Sequence, residues 1–360
     1  MAEGVFVRKS SGLVRQVGLI GGALYNISNT APYIAVGQFL PYYFIWANGG
    51  DYLLALTIGL IGSLLVNSVY AHFTAAMPRS GGEYMFLGRS VNPSLGFMVN
   101  WVNMATYAFW WMSDAIFQTG LLYAFLSFVM PQESVVWMTE RGGIFICGAC
   151  LMVFHALLTM AGLRLYMRLQ NALYVFVVAI SVVVLAGFIM SIANFPSIFN
   201  QWSLQYVPNE PSMYQKIISD AAAQGFSLNP HEGPGMEQTL LMAVIFFTWQ
   251  TPYTAFTTYV AGEIKKAESG LRQHFFVEVA ALSQGIVFLL WGWVWLNMVG
   301  LEFIGSFTFL GGAGLPADIM YWNWPQVVLP NWVAALFVLS CFVQWWLPSI
   351  NKLTAISRCA

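Results

Sequence analysis

The chain has 360 residues, of which 58% are hydrophobic and only 8% are charged, and its formal net charge is −1. Soluble globular proteins carry about 25% charged residues, so this composition excludes an ordinary soluble domain. Aromatic residues make up 16% of the chain, which suits a membrane protein with aromatic belts at its interfaces. Membrane lipid is therefore an expected partner, whereas nucleic acid is not, because the chain has no long basic run.

Apolar segments divide the chain into candidate membrane spans, each of which needs about 20 mostly apolar residues. Eight such segments lie roughly at residues 17–45, 52–76, 95–129, 142–162, 168–193, 237–262, 272–299 and 331–357. A polar, proline-containing stretch at 194–236 separates the first five from the last three, and we expect a short helix in it around 211–224. The sequence thus predicts an all-α integral membrane protein.

The basic residues predict an orientation. If the N-terminus is cytoplasmic and the eight segments alternate, all of the 14 Lys and Arg residues except Arg141 and Lys216 fall on the cytoplasmic side. Short cytoplasmic loops carry an excess of Lys and Arg, so this asymmetry supports both the number of spans and their direction. We expect a multi-pass protein of the plasma membrane with its N-terminus in the cytoplasm.

Two of the apolar segments contain a proline preceded by hydroxyl and amide side chains. These are Tyr25–Pro32 (YNISNTAP) in the first segment and Phe247–Tyr253 (FTWQTPY) in the sixth. Proline suits the first position of a new half-helix after a capping residue, and Thr251-Pro252 fits that pattern. A matched pair of interrupted spans points to a transporter's substrate site, although a simple proline kink in each helix is the alternative.

Interrupted helices would supply the groups that an amino acid needs. Free N–H groups near residues 30–32 would suit a carboxylate. Free carbonyls near Tyr25 and Asn26, and near Phe247 and Thr248, would suit an ammonium group or a sodium ion. A zwitterionic amino acid carries both charges, so the two breaks together favour such a substrate.

The third and eighth segments carry polar residues. Those of the third share one helical face, with spacings of three, four, seven and four: Asn100, Asn103, Tyr107, Asp114 and Gln118. An acid near the middle of a span costs about 2.5–3.5 kcal/mol on insertion scales, so Asp114 should face a cavity or a partner. It could carry protons, balance a substrate amine or form an interhelical hydrogen bond.

In the eighth segment, Ser340 and Gln344 lie one turn apart. Such hydroxyls can help to bind sodium or simply pack helices together. We expect Lys352 to reach the cytoplasmic surface by snorkelling.

Three motifs resemble those of amino acid permeases in the amino acid–polyamine–organocation superfamily. They are Pro78–Arg89 (PRSGGEYMFLGR), Ala261–Lys265 (AGEIK) and Ala355–Arg358 (AISR), in that order along the chain. The family's usual small-residue sequence at the first break is replaced here by Ser28–Ala31 (SNTA). The fifth segment has no Lys or Arg after Arg168, so the buried lysine of some relatives is absent there.

The resemblance implies a five-plus-five inverted repeat of the leucine-transporter type. Residues 1–193 would hold the first repeat (spans 1–5), 194–236 an extracellular loop, and 237–360 an incomplete second repeat (spans 6–8), with the C-terminal helices missing. The substrate residues carried over are Ser28, Asn29, Thr30, Thr248, Trp249, Gln250 and Thr251, with Trp249 closing over the substrate. The coupling and polar residues would be Asp114, Tyr107, Gln118, Ser340 and Gln344, and Asn26 with Ser340 is a candidate sodium site.

The sequence therefore predicts a secondary active transporter of amino acids or related small organic solutes, working by alternating access. Proton coupling through Asp114 is favoured over amino acid exchange or sodium coupling. A membrane sensor that keeps the transporter fold is the alternative of a different class. We expect no enzyme activity, no cofactor and no resident metal, since the chain contains no HExxH motif, nucleophile elbow or phosphate-binding glycine loop.

The orientation can be tested with cysteines placed in the connecting segments. Cysteines at Asn48 and Gln224 should react with a membrane-impermeant thiol reagent added to intact cells, and one at Ser269 should not. Reaction of the Ser269 variant under these conditions would contradict the predicted topology.

Overall fold

The structure, a computed structural model, describes residues 14–33, 47–228, 235–313, 315 and 324–359. Within these ranges the chain is helical, and its only β-type pairing is an isolated parallel bridge between Val17 and Ile264. The main helices are α1 Leu19–Asn29, α2 Tyr52–Ala76, α3 Gly82–Ser90, α4 Pro93–Val129, α5 Arg141–Met160, α6 Leu163–Ser191, α7 Phe195–Ser203, α8 Met213–Ala223, α9 Met236–Thr254, α10 Gly270–Met298, α11 Leu301–Phe309 and α12 Asn331–Cys359.

Six of these helices are long and apolar enough to cross a membrane, namely α2, α4, α5, α6, α10 and α12. They match six of the eight predicted spans in position and length. The sixth segment forms α9, whose apolar part, Met236–Trp249, is shorter. Part of the first segment, residues 34–45, lies outside the described residues.

The helix α12 lies at the centre of the bundle. It packs against α4 and α6, while α2 packs against α9 and α10, and α1 packs against α10. In the most apolar 18 residues of α12, 83% are buried, against 17% in α5. The side chains of Phe145 and Met160 on α5 are 75% and 81% exposed, which is the surface expected of a helix that faces lipid.

Aromatic side chains join the connecting helices at one end of the bundle. The rings of Tyr214 on α8 and Phe303 on α11 stack at 4.3 Å between centroids, and the Tyr214 hydroxyl donates to the Val299 carbonyl at 2.7 Å. The short helix expected around 211–224 is confirmed by α8, whereas α7 and α11 were not predicted. Because these helices pack on one another, residues 195–223 form an ordered cap.

The helices α2 and α9 pack closely at Gly59. A Cβ atom there would lie 2.9 Å from the Cβ of Phe246 and 3.0 Å from the Ala243 carbonyl oxygen. At Gly120 on α4, by contrast, a Cβ atom would meet nothing within 4 Å.

We therefore expect Gly59→Ala to lower stability by about 1–3 kcal/mol, the usual cost of overpacking. The same change at Gly120 should be neutral or slightly stabilising, because alanine favours the helix over glycine. Thermal unfolding of both variants in detergent measures this. Equal unfolding temperatures for the two would show that α2 and α9 do not make this contact.

Candidate functional site

The first helix breaks where the sequence predicts. The helix α1 ends at Asn29, and Ala31 adopts φ +42°, after which Pro32 and Tyr33 are helical again. A left-handed conformation costs a non-glycine residue roughly 1–2 kcal/mol, so the surrounding contacts must impose it.

Side chains at this break bind backbone carbonyls. The Ser28 hydroxyl donates to the Tyr25 carbonyl at 3.2 Å, and the Asn29 side-chain amide donates to the Tyr253 carbonyl at 2.8 Å. The Tyr25 carbonyl also accepts from the Asn351 side chain at 3.4 Å. The Thr30 hydroxyl similarly donates within its own turn. The Tyr25 carbonyl, predicted to be free for a ligand, is therefore already occupied by protein donors.

The predicted position of the second break is wrong. The helix α9 continues past Pro252 to Thr254, so Thr251-Pro252 does not begin a half-helix. The Thr251 hydroxyl donates to the Phe247 carbonyl at 2.8 Å, which satisfies that carbonyl, and the Thr248 hydroxyl donates to Ile245 at 2.9 Å. A proline removes only one helix hydrogen bond, and these side chains support the turn around it.

The break in this segment follows Thr254. The chain there forms two short 3₁₀ turns, Phe256–Thr258 and Ala261–Glu263, before α10 begins at Gly270. The Asn26 side-chain amide ties this irregular segment to α1. It donates to the Thr257 hydroxyl at 3.0 Å and accepts from the Thr257 backbone N–H at 2.8 Å.

The candidate sodium site receives no support from these contacts. Besides Thr257, the Asn26 side chain donates to the Phe276 carbonyl of α10 at 3.2 Å. The Ser340 hydroxyl donates to the Phe337 carbonyl of its own helix at 2.7 Å. Neither set of partners joins Asn26 to Ser340.

A cavity of about 380 Å³ lies between α4 and α9, which is within the range of small-molecule sites. Four aromatic residues and four smaller side chains line it: Tyr107, Trp110, Trp249, Tyr253, Asn103, Thr106, Ile245 and Thr248. The structure thus brings the predicted residues Tyr107, Thr248 and Trp249 together. Ser28, Asn29, Thr30 and Thr251 are buried beside the breaks and do not line it. The side chain of Gln250 lies outside the described residues.

Asp114 on α4 forms a buried ion pair with Lys352 on α12. The Lys352 Nζ lies 2.6 Å from the Asp114 Oδ2, and the two side chains are 3% and 1% exposed, respectively. The expectation that Lys352 snorkels to the surface is therefore wrong. Its side chain turns inward because an acid in the same low-dielectric interior requires a compensating charge.

Further donors on α12 complete the environment of the Asp114 carboxylate. The Trp345 indole N–H donates to Oδ1 at 3.1 Å, and the Ser349 hydroxyl lies 2.9 Å from Oδ2. The Gln118 side chain donates to the Ser349 hydroxyl at 2.7 Å, and Gln344 is buried on the same helix. The polar face predicted for α4 is thus matched by a polar face on α12. The sequence signal for this match is the spacing of Trp345, Ser349 and Lys352 at helical intervals.

Two aromatic rings lie beside both the ion pair and the cavity. The Lys352 Nζ lies 5.4 Å from the centroid of the Tyr253 ring and 6.0 Å from that of the Trp110 ring, and both rings line the cavity. Cations are attracted to ring faces at such distances. The rings of Trp110 and Tyr253 therefore lie next to the charged pair and also form part of the cavity wall.

Removal of one charge should destabilise the protein. We expect Lys352→Met to cost about 3–5 kcal/mol, because it leaves Asp114 as an uncompensated buried charge. The double variant Asp114→Asn/Lys352→Met should recover most of that loss. As a matched control, Lys216→Met removes one partner of the exposed Lys216–Asp220 pair on α8 and should have no measurable effect. Unfolding of the four proteins in detergent measures this, and equal stability of Lys352→Met and Lys216→Met would contradict the assignment.

A comparison with known protein families identifies the family of the chain. The family profile described as amino acid permease matches residues 27–272, which is more than half of the chain. The match includes the first break, α4, the Pro78–Arg89 segment and α9. A search of curated proteins finds no match. Members of the matched family are membrane transporters rather than enzymes, and the chain belongs to the amino acid permease family.

Proposed function

We propose that the chain is a secondary active transporter of amino acids or related small organic solutes that works by alternating access in the plasma membrane. The observation that carries the proposal is the cavity between α4 and α9, which two aromatic rings connect to the buried Asp114–Lys352 pair. In the proposed architecture, residues 1–193 and 237–360 belong to the two inverted repeats of a five-plus-five fold, and the N-terminus is cytoplasmic.

The cavity walls suit a small amphipathic solute. Its aromatic surfaces can pack against an apolar side chain, while Asn103, Thr106 and Thr248 offer hydrogen-bonding groups. Trp249 packs against Tyr253, with 5.1 Å between the ring centroids, and we assign it the role of covering the substrate. The break residues Ser28, Asn29 and Thr30 would act from behind this wall, since Asn29 binds the Tyr253 carbonyl.

We assign proton coupling to Asp114 together with Lys352. When Asp114 is ionised, its charge neutralises the Lys352 ammonium group at 2.6 Å. A proton that binds the Asp114 carboxylate removes that negative charge and leaves the ammonium group positive behind Trp110 and Tyr253. The positive charge then attracts a carboxylate in the cavity. Proton and substrate therefore bind with positive cooperativity, as a symporter requires.

Uptake by the purified chain in proteoliposomes tests this function. A panel of radiolabelled amino acids would be offered with a pH gradient, with a sodium gradient, and with unlabelled amino acid inside the vesicles. We expect accumulation of at least one amino acid under the pH gradient. Accumulation that requires the sodium gradient would indicate sodium symport. Accumulation that requires only unlabelled amino acid inside the vesicles would indicate exchange. Saturable binding without flux in any condition would favour a sensor.

Trp249 provides the test of the binding site. We expect Trp249→Ala to lose at least tenfold in substrate affinity, because the ring forms a wall of the cavity. The matched control is Trp101→Ala on α4, whose side chain is 64% exposed. Binding of the transported amino acid to both detergent-purified variants measures this. Unchanged affinity in a folded Trp249→Ala variant would remove the cavity as the substrate site.

A further inference from the structure

One glycine of the Pro78–Arg89 segment allows an aromatic ring to lie directly on the backbone. Gly81 and Gly82 have φ of +120° and +46°, a region that favours glycine. A Cβ atom on Gly82 would lie 2.5 Å from the Cε1 atom of Tyr259. The side chain of Tyr259, which follows the end of α9, can therefore approach α3 only because residue 82 is a glycine.

The next residue, Glu83, accepts a hydrogen bond from the hydroxyl of the same tyrosine. The Tyr259 hydroxyl donates to the Glu83 Oε2 at 2.7 Å, and the Tyr70 hydroxyl of α2 donates to Oε1 at 2.6 Å. In the part of the chain that the structure describes, Glu83 forms no ion pair. Its partners are these two tyrosines, so the carboxylate acts as an acceptor that joins α2 and α3 to the segment after α9.

The hydrogen bonds continue from Tyr259 to the cavity. Its hydroxyl lies 3.0 Å from that of Tyr107, which lines the cavity, and the two rings meet edge to face with 5.8 Å between centroids. Both tyrosines are buried. A continuous series of side chains thus runs from the cavity through Tyr107 and Tyr259 to Glu83.

Tyr259 also lies outside the long helices. It falls between the two 3₁₀ turns, Phe256–Thr258 and Ala261–Glu263. A residue in such an irregular segment can move without disrupting a long helix. The Glu83 carboxylate and the Gly82 backbone are the contacts that hold its side chain in place on the α3 side.

We propose that Glu83 is a positioning residue that holds Tyr259 against Tyr107 and so closes the end of the cavity nearest the Pro78–Arg89 segment. This inference rests on the proposed function, because the closure matters only if the cavity is the transport site. When the cavity opens on this side, the hydrogen bond between Tyr107 and Tyr259 breaks. Two adjacent residues contribute to the closure. Gly82 leaves room for the Tyr259 ring, and the Glu83 carboxylate accepts a hydrogen bond from the Tyr259 hydroxyl.

A cysteine inside the cavity reports the closure directly. We would place Ile245→Cys, which lines the cavity, in a background without Cys147, Cys150, Cys341 and Cys359. A membrane-impermeant thiol reagent would be applied from the side of the bilayer that bears the Pro78–Arg89 segment, without substrate. Tyr259→Phe keeps the ring but removes both hydrogen bonds of the hydroxyl, so we expect at least a fivefold faster reaction. Glu83→Ala should give an increase of similar size.

Tyr70→Phe is the matched control, because it removes a hydrogen bond to the same carboxylate but none that reaches the cavity. We expect its reaction rate to stay within twofold of the parent. If Glu83→Ala fails to fold, Tyr107→Phe breaks the same hydroxyl contact from the cavity side and should give the same increase. Rates for folded Tyr259→Phe and Tyr107→Phe within twofold of the parent would overturn the proposal.

The result is independent of transport. If Tyr259→Phe speeds labelling in a chain that accumulates no amino acid, the closure by Glu83 is supported and the proposed function is refuted. If the chain transports an amino acid but its labelling rate does not change with Tyr259→Phe, the proposed function is supported and the closure by Glu83 is refuted.

Discussion

A charge buried in a membrane protein must be compensated within the protein, and the ion pair between α4 and α12 meets that constraint with both partners buried. Asp114 and Lys352 are 238 positions apart in sequence, yet their charged atoms lie 2.6 Å from each other. Because Trp345, Ser349 and Lys352 all contact the Asp114 carboxylate on α4, α12 must present a polar face to α4 along about two turns. This requirement explains why the last of the main helices is also the most buried of the six candidate spans.

The same constraint shapes the irregular backbone. Hydrocarbon offers no hydrogen bonds to a broken helix, so protein side chains must satisfy its carbonyls and N–H groups. Asn29 does this for the Tyr253 carbonyl, and Asn26 for the Thr257 backbone N–H. The two amides also tie the break in α1 to the segment around the end of α9. The cavity between α4 and α9 therefore has one wall whose position depends on side chains of α1.

Much of the fold could be predicted from apolar runs, because six of the spans are continuous helices whose length alone distinguishes them. The break near Ala31 was also predictable, since polar residues and a proline interrupt the apolar run there. The end of α9 was not, because the Thr251 hydroxyl binds the Phe247 carbonyl and supports the helix beside Pro252. Hydropathy likewise cannot identify the partner of Lys352, whose burial depends on an acid in a distant segment. For the same reason, hydropathy could not predict the contact between Glu83 and Tyr259, which are close in space but 176 positions apart in sequence.

We propose that the Asp114–Lys352 pair couples protons to substrate movement. The most direct measurement compares the unaltered chain with the Asp114→Asn/Lys352→Met variant, which replaces both charges without leaving one unpaired. Both would be reconstituted and assayed for accumulation under a pH gradient and for exchange of labelled against unlabelled substrate without a gradient. We expect the variant to exchange substrate but no longer to accumulate it in response to the pH gradient. Equal gradient-driven accumulation by the two proteins would contradict the claim.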